Sequence, residues 1–359
     1  MSNLAADQLA CRADQAGQYF PALDGLRGLM ALGVIFAHVK LSWFPGAQIM
    51  MDIFFVISGF LITLILLRNI ERTGQLQLFK FFSRRVRRLY PALMLVIVVY
   101  LIAAVFLVHD LAPVWEDAVR TLLYYSNWTK LNAHVYPTYF EHTWSLSIEE
   151  QFYLLWPALL LVVLKLRLSR VKVLLLFAGF MVVAVAWRNF LINEGVEWSR
   201  VYYGLDTRMD AFFMGGILAL AWDAWGEGWH RSPVFLRLMQ ASALVLCALV
   251  LFCKPREIYY FVWQQSLVLL LSSATILVLI APTKNRLKSF LSCRPIQGIG
   301  LMCYGIYLWH WPLLWLLVVK FNFSPIINLA IVMPSTLLLA YLTYRYVELP
   351  ILSRRSRYF

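Results

Sequence analysis

Hydrophobic residues along this chain fall in long runs that are separated by short polar stretches. A run of about 20 apolar residues can cross the roughly 30 Å hydrocarbon core of a bilayer as a helix. The pattern therefore predicts an all-α fold, a polytopic membrane helix bundle with about ten transmembrane helices. The predicted spans cover residues 23–42, 49–68, 89–108, 143–165, 172–192, 205–223, 234–252, 260–281, 296–319 and 326–346.

Segment 115–128 is apolar but too short to cross a bilayer, which favours an interfacial or re-entrant piece. The surrounding loop, 109–142, is rich in aromatic side chains with amides and hydroxyls between them. Such residues suit the faces and edges of sugars, and they also form ordinary interface belts. The residues concerned are Trp115, Tyr124, Tyr125, Asn127, Trp128, His134, Tyr136 and Tyr139.

Composition and charge support a membrane protein and predict its orientation. Hydrophobic residues make up 61% of the 359 and charged residues 14%, which excludes an ordinary soluble domain. Of the 32 Lys and Arg residues, 22 fall on the side of the N-terminus, nine fall on the other side, and Arg27 lies within the first predicted span. By the positive-inside rule both termini are cytoplasmic. We expect a cytoplasmic tail at 1–19, a membrane domain at 20–348 and a basic cytoplasmic tail at 349–359, with no nucleic-acid partner.

The first predicted span carries three ionisable residues, Asp24, Arg27 and His38, in an otherwise apolar helix. A charge within a membrane span is costly and marks a functional site by default. Eleven residues at about 100° each bring His38 to within roughly 20° of Arg27, about 16 Å along the helix axis. One helix face thus presents a carboxylate and a cation near one end and a titratable base near the other.

Four arginines precede the third span, in Arg84-Arg85-Val86-Arg87-Arg88. Spacings of i and i+3 place Arg84 with Arg87, and Arg85 with Arg88, on shared helix faces. Guanidinium forks arranged in this way can grip phosphate oxygens bidentately. The same arginines could equally be an ordinary topology signal and headgroup anchor.

Carboxylates within the second and fourth spans offer further chemistry. Because the second span returns from the side that His38 reaches, Asp52 lies at the level of His38 and could hold its imidazole in one tautomer. An interfacial Asp in contact with water is the alternative. Glu149 and Glu150 lie about two turns inside an apolar helix, where carboxylates are paired, protonated or exposed to a wet cavity. One of them could instead neutralise Arg27.

The ninth span contains the main rival to His38 as a base, His310, flanked by Trp309 and Trp311. A histidine in such surroundings is more often a packing residue or an interfacial anchor. The five cysteines are scattered without paired metal-ligand spacing, so we interpret them as small core residues and expect no metal site.

Taken in order along the chain, these motifs resemble the acyltransferase-3 family of integral membrane O-acyltransferases, in its single-domain form without an appended SGNH hydrolase-like domain. The similarity covers nearly the whole chain. It is carried by Leu23-Asp-Gly-Leu-Arg-Gly28, the spacing from Arg27 to His38, Asp52-Ile-Phe-Phe-Val-Ile-Ser-Gly-Phe60, the two Arg-x-x-Arg spacings, Thr143-Trp-Ser-Leu-Ser-Ile-Glu-Glu-Gln-Phe-Tyr153, Tyr307-Leu-Trp-His-Trp-Pro312 and Tyr346-Val-Glu-Leu-Pro350.

The resemblance implies transfer of an acyl group, usually acetyl, from cytoplasmic acyl-CoA to a hydroxyl of an extracytoplasmic or lipid-linked glycan. It also implies a multi-pass protein of the bacterial inner membrane, with acetyl-CoA as co-substrate and no bound cofactor. His38 is implied as the catalytic base and the arginines as the acyl-CoA site. With the arguments above, the predicted catalytic residues are His38, Asp52, Glu149 and Glu150. The predicted acyl-CoA site is Arg27, Arg84, Arg85, Arg87 and Arg88, and Asp24 and His310 are structural or alternative-base residues.

Two other functions remain open from the sequence. Intramembrane Asp, Arg, Glu and His also form the substrate paths of transporters, so a flippase of lipid-linked saccharide is one alternative. Within the acyltransferase hypothesis, the acceptor could be a secreted small molecule instead of a glycan. A transporter would move glycan without consuming acyl-CoA.

Overall fold

The computed structural model describes residues 19–39, 45–131, 139–229, 232–253, 258–283 and 285–353. The described residues form helices joined by short turns, with no strand among them, so the predicted all-α fold class is confirmed. Most of both predicted tails, and also His134 and Tyr136, lie outside the described residues.

The described residues in the first half of the chain form seven α-helices and one 3₁₀ turn. They are α1 (Pro21–His38), α2 (Ile49–Thr73), α3 (Leu78–Leu107), α4 (Ala112–Leu122), α5 (Ser126–Thr129), the 3₁₀ turn Glu141–Thr143, α6 (Trp144–Lys165) and α7 (Arg170–Asn193). The part of the second half that the structure describes adds nine helices and two π-helical segments. They are α8 (Trp198–Tyr203), α9 (Met209–Trp229), α10 (Pro233–Phe252), the π segment Tyr260–Gln264, α11 (Gln265–Ile280), α12 (Arg286–Leu291), α13 (Arg294–Leu301), α14 (Cys303–Phe321), α15 (Pro325–Thr343), the π segment Tyr344–Glu348 and α16 (Leu349–Ser353).

Several of these helices are long and apolar enough to cross a membrane, so the chain is a multi-pass membrane protein. Seven meet the length and hydropathy criteria, and an eighth does so when α13 and α14 are taken as one bent span. Helices α1 and α9 coincide with the two remaining predicted spans and carry charged residues. The total of about ten spans is not confirmed and stays a prediction.

Small residues bring α2 and α9 into very close contact. A Cβ atom on Gly59 would lie 2.3 Å from the carbonyl oxygen of Phe212, and one on Gly215 would lie 2.2 Å from that of Val56. Small residues at helix interfaces let backbones approach closely in a bilayer, where van der Waals packing drives association. This contact fixes which way the charged residues of α2 and α9 face.

Helix α1 is fixed in a similar way against the α12–α14 region. A Cβ atom on Gly28 would lie 2.6 Å from the backbone nitrogen of Gly300, so no larger residue fits there. Helices α13 and α14 meet at an angle of 66° around Met302. Because of this bend, α14 begins alongside the middle of α1 and runs in the same direction toward His38.

The short segment between α3 and α6 turns inward. Helices α4 and α5 have 11 and four residues, too few to cross a bilayer. Between them Tyr124 has a φ of +53° and is buried, with 8% of its surface exposed. That the segment is an interfacial or re-entrant piece stays a prediction.

Candidate active site

A cavity of about 190 Å³ lies among α1, α2, α3, α6, α14 and α16. We call it the arginine cavity. Seven of the predicted site residues line it together, although they come from three separate stretches of sequence. These residues are Arg27, Arg84, Arg85, Arg87, Arg88, Glu149 and Glu150. The grouping of these charges was predicted from the sequence, whereas their role in catalysis or binding stays a prediction.

The two glutamates in the arginine cavity have different partners. Glu150 accepts a hydrogen bond from Arg85 at 2.7 Å, and the Arg85 guanidinium also stacks 3.3 Å from the ring centre of Tyr153. Glu149 accepts a hydrogen bond from the Ser58 hydroxyl at 2.8 Å. Five arginines against two glutamates leave the lining positive, which suits an anionic ligand.

Asp24 and Arg27 form an ion pair at the entry of α1. Their closest side-chain atoms are 3.8 Å apart, and Asp24 also accepts a hydrogen bond from Tyr19 at 2.8 Å. Gln297 donates in turn to the Tyr19 hydroxyl at 2.7 Å. Asp24 therefore ties α1 to α13, which agrees with the structural alternative given for it.

At the opposite end of α1, His38 contacts His310, the residue that the sequence suggested as an alternative base. The Nδ1 atom of His38 lies 2.9 Å from the Nε2 atom of His310, with the two ring planes only 5° apart. His310 is fully buried, whereas His38 is half-buried. The edge of Trp311 packs against His38, with ring centres 4.8 Å apart. The two histidines are thus partners in one site and not competing sites.

The hydrogen bonds of His310 define the tautomer of the neutral pair. Its Nδ1 lies 2.6 Å from the carbonyl oxygen of Tyr307, which can only accept, so this nitrogen must carry the proton. The Nε2 atom of His310 is then the acceptor for the Nδ1–H of His38. This leaves Nε2 of His38 as its lone-pair nitrogen, the form that a general base needs.

A third histidine, His142, packs beside the pair. Its ring centre lies 5.1 Å from that of His310. Both ring nitrogens are buried, and neither has a hydrogen-bond partner within the described part of the chain. Sequence reasoning did not include His142 among the site residues. Its position one turn before Ser145, in the same motif as the glutamates, was the available signal.

A hydrogen-bonded layer separates the arginine cavity from the histidines. The Tyr307 hydroxyl donates to the carbonyl of His142, and the Ser145 hydroxyl donates to the Tyr307 oxygen at 2.6 Å. Both side chains are buried. On α14 the cavity residue Tyr304 comes one turn before Tyr307, and His310 one turn after it.

Asp52 does not contact His38, which differs from the sequence expectation. Its two carboxylate oxygens accept hydrogen bonds from Arg208 and from the Tyr260 hydroxyl, each at 2.6 Å. Asp52 is fully buried, so the alternative of an interfacial Asp in water does not describe it either. The close glycine packing of α2 on α9 turns Asp52 toward Arg208, away from α1.

A second buried ion pair lies beside the first. Arg188 donates to Asp210 at 2.6 Å, Gln265 donates to the other Asp210 oxygen at 3.3 Å, and all three side chains are fully buried. We call Asp52, Arg208, Arg188 and Asp210 the buried ion-pair cluster. From the sequence alone, Arg188 and Arg208 were used only in the count of Lys and Arg residues that predicts the orientation in the membrane. The occurrence of Arg and Asp within or beside two predicted spans was the signal for their pairing.

Within the described part of the chain, no three His, Cys, Asp or Glu side chains converge in a way that could hold a metal ion. The histidines instead contact one another and aromatic rings. Of the five cysteines, Cys303 is buried and Cys247 is exposed, and Cys11 lies outside the described residues.

Comparison with known proteins identifies the family. The model of the family described as an acyltransferase domain matches residues 20–345. The peptidoglycan O-acetyltransferase OatA of Listeria monocytogenes is 36% identical over 352 residues, which cover 93% of this chain and 56% of that protein. The putative peptidoglycan O-acetyltransferase YrhL of Bacillus subtilis is 34% identical, covering 96% of this chain and 57% of that protein.

A putative O-acetyltransferase of Staphylococcus aureus is 31% identical over 93% of this chain and 57% of its own length. The chain therefore spans a little over half the length of the curated relatives it matches. No solved structure matches it significantly. The family match extends across the arginine cavity, both histidines of the pair and the buried ion-pair cluster. The chain belongs to the acyltransferase domain family that its motifs predicted.

Proposed function

We propose that this chain is a membrane O-acetyltransferase that moves an acetyl group from acyl-CoA to a hydroxyl of a cell-wall glycan. One observation carries the proposal: five arginines line a cavity at one end of α1, and a pair of hydrogen-bonded imidazoles lies at the other end. Two of the relatives are named as peptidoglycan O-acetyltransferases, which supports a peptidoglycan strand or its lipid-linked precursor as the acceptor.

The donor is assigned from charge and geometry. Guanidinium groups bind phosphates bidentately, and Arg84, Arg87 and Arg88 line the cavity beside the Arg85–Glu150 pair. An acyl-CoA anchored there by its phosphates extends its pantetheine arm and thioester toward His38. By the positive-inside rule the arginine end faces the cytoplasm of a bacterial inner membrane and both termini are cytoplasmic. We expect acyl-CoA as co-substrate and no resident cofactor.

The transfer step needs one base. Nε2 of His38 takes the proton of the acceptor hydroxyl as its oxygen attacks the thioester carbonyl carbon. The new C–O bond forms, the C–S bond breaks, and the CoA thiolate takes the proton back from the His38 imidazolium. A general base of this kind contributes about 10²–10⁴-fold in rate. His310 is a positioning residue, because it acts through the tautomer of His38.

Purified chain in lipid nanodiscs tests the proposal, with radiolabelled acetyl-CoA as donor and peptidoglycan fragments as acceptor. We expect O-acetylated glycan and free CoA in equal amounts. In cells, deletion of the gene should remove an acetyl mass from muropeptides. A chain that moves lipid-linked glycan across proteoliposomes without releasing CoA would be a transporter and would contradict the proposal.

A further inference from the structure

Two tyrosine hydroxyls of the arginine cavity have no hydrogen-bond partner among the described residues other than each other. Tyr124, from the turn before α5, and Tyr304, from the first turn of α14, both line the cavity. Each hydroxyl oxygen is buried, and neither forms a hydrogen bond of normal geometry with any described residue. The two phenols interact with each other, but when one donates to the other the second O–H still has no acceptor. A buried polar atom without a partner costs free energy, and phenylalanine would fill either position without that cost. The two hydroxyls therefore call for a ligand that supplies their partners.

The backbone of Tyr124 supports a functional reason. A φ of +53° lies in the left-handed region, which is unusual for a bulky aromatic residue. The surrounding structure holds it there, because Gln151 donates to the Tyr124 carbonyl at 2.8 Å and the Tyr90 ring packs against Tyr124, with centres 5.6 Å apart. Strain of this kind persists where neighbours over-determine it and clusters at functional sites.

The two tyrosines lie between the phosphate-binding arginines and the histidines. Tyr304 comes two turns before His310 on α14, and Tyr124 reaches the cavity from the turn between α4 and α5. A ligand anchored by its phosphates at the arginines presents its arm at this level. The pantetheine arm of acyl-CoA carries amide and thioester carbonyls, and a phenol hydroxyl donates to such an acceptor.

We propose that the hydroxyls of Tyr124 and Tyr304 bind the carbonyl groups of the pantetheine arm and so aim the thioester at His38. This assignment rests on the proposed function, because it requires acyl-CoA in the arginine cavity. The arginines then supply affinity for the charged end of the donor, and the tyrosines fix the position of its neutral arm.

Binding of CoA to the full chain in nanodiscs tests the assignment. Tyr124→Phe and Tyr304→Phe should each weaken CoA binding about fivefold to tenfold. Because no ionic contact is removed, that factor should be the same at low and high salt. The melting temperature should stay unchanged or rise, since the variants remove an unpaired buried hydroxyl. A purely structural tyrosine would lower it instead.

Two further variants calibrate the measurement. Tyr100→Phe is the matched control, because the Tyr100 hydroxyl is also buried and unpartnered but lines a separate apolar cavity of about 80 Å³. It should leave CoA binding unchanged. Arg87→Gln with Arg88→Gln should weaken binding mainly at low salt.

The outcomes separate this assignment from the proposed function. If the wild-type chain binds CoA and both Tyr→Phe variants bind it equally well, the assignment is wrong while the proposed donor stands. If the Tyr→Phe variants bind CoA more weakly at low salt but not at high salt, the hydroxyls contact the phosphates of CoA and not its pantetheine arm. That result would also contradict the assignment. If the wild-type chain binds no CoA at all, the donor itself is wrong and the assignment falls with it.

Discussion

Two groups of charged residues inside the bundle differ in their balance of positive and negative side chains. In the buried ion-pair cluster, two arginines face two aspartates, and all four side chains are fully buried. In the arginine cavity, five arginines face two glutamates around an open volume. The closed cluster has no net charge and serves the fold, although one guanidinium nitrogen of Arg188 and one of Arg208 have no hydrogen-bond partner among the described residues. The unbalanced set beside a cavity suits an anionic ligand.

Asp52 belongs to the buried ion-pair cluster and does not have the role that the sequence suggested for it. The sequence alone suggested that this carboxylate orients His38, but its two oxygens are bound by Arg208 and Tyr260. His310 takes the orienting position instead, through one bond to His38 and one to the Tyr307 carbonyl. A catalytic role for Asp52 has no contact with His38 to support it.

The largest expected effect is on the buried ion-pair cluster. Arg208→Ala leaves Asp52 charged and buried without its ionic partner, and breaking such a pair costs about 3–5 kcal/mol. We expect loss of folded protein, measured as yield and as melting temperature in detergent. Lys80→Ala, on the exposed surface of α3, is the control and should be neutral. A stable Arg208→Ala protein with a low kcat would show that the cluster is catalytic.

The next effect is on the arginine cavity. Arg84→Gln with Arg87→Gln, or Arg85→Gln with Arg88→Gln, should raise the KM for acetyl-CoA about tenfold or more, since hydrogen bonds to charged groups contribute about 1.5–3 kcal/mol each. The protein should still insert, and the salt dependence of KM should flatten. If KM is unchanged in both double variants, these arginines act only as topology signals. The arginine cavity would then not differ from the buried ion-pair cluster by binding an anionic ligand.

The smallest of these effects concerns His310. His310→Ala removes the acceptor that fixes the His38 tautomer, so kcat should fall about tenfold with little change in KM. His310→Gln should restore most of the activity, because its amide can accept from His38 and donate to the Tyr307 carbonyl. If the Gln variant is as impaired as the Ala variant while both are folded, His310 takes part in the chemistry directly.

The sequence predicted the fold class and much of the site because both depend on local features. Apolar runs predict the helices, and the costs of intramembrane charge single out Arg27, Glu149 and Glu150, which the structure does gather in one cavity. The partners of Asp52 and His38 could not be predicted in the same way. They depend on which faces of α2 and α9, or of α1 and α14, pack together, and on the bend at Met302.

The same limit explains the residues that sequence reasoning missed. Tyr124 belongs to a loop whose aromatic residues were interpreted as sugar-binding or interfacial. Only the three-dimensional path of the chain between α3 and α6 brings it to the arginine cavity. Arg188 and Asp210 are 22 positions apart and pair only because α7 packs against the start of α9.

The most direct test of the account is the turnover of purified His38→Ala with acetyl-CoA and peptidoglycan fragments. Because Nε2 of His38 is the base in this account, kcat should fall at least about 10²-fold. CoA affinity and melting temperature should stay near those of the wild type, since the arginine cavity is untouched. A folded His38→Ala protein that binds CoA and transfers acetyl groups at a near-normal rate would contradict the account.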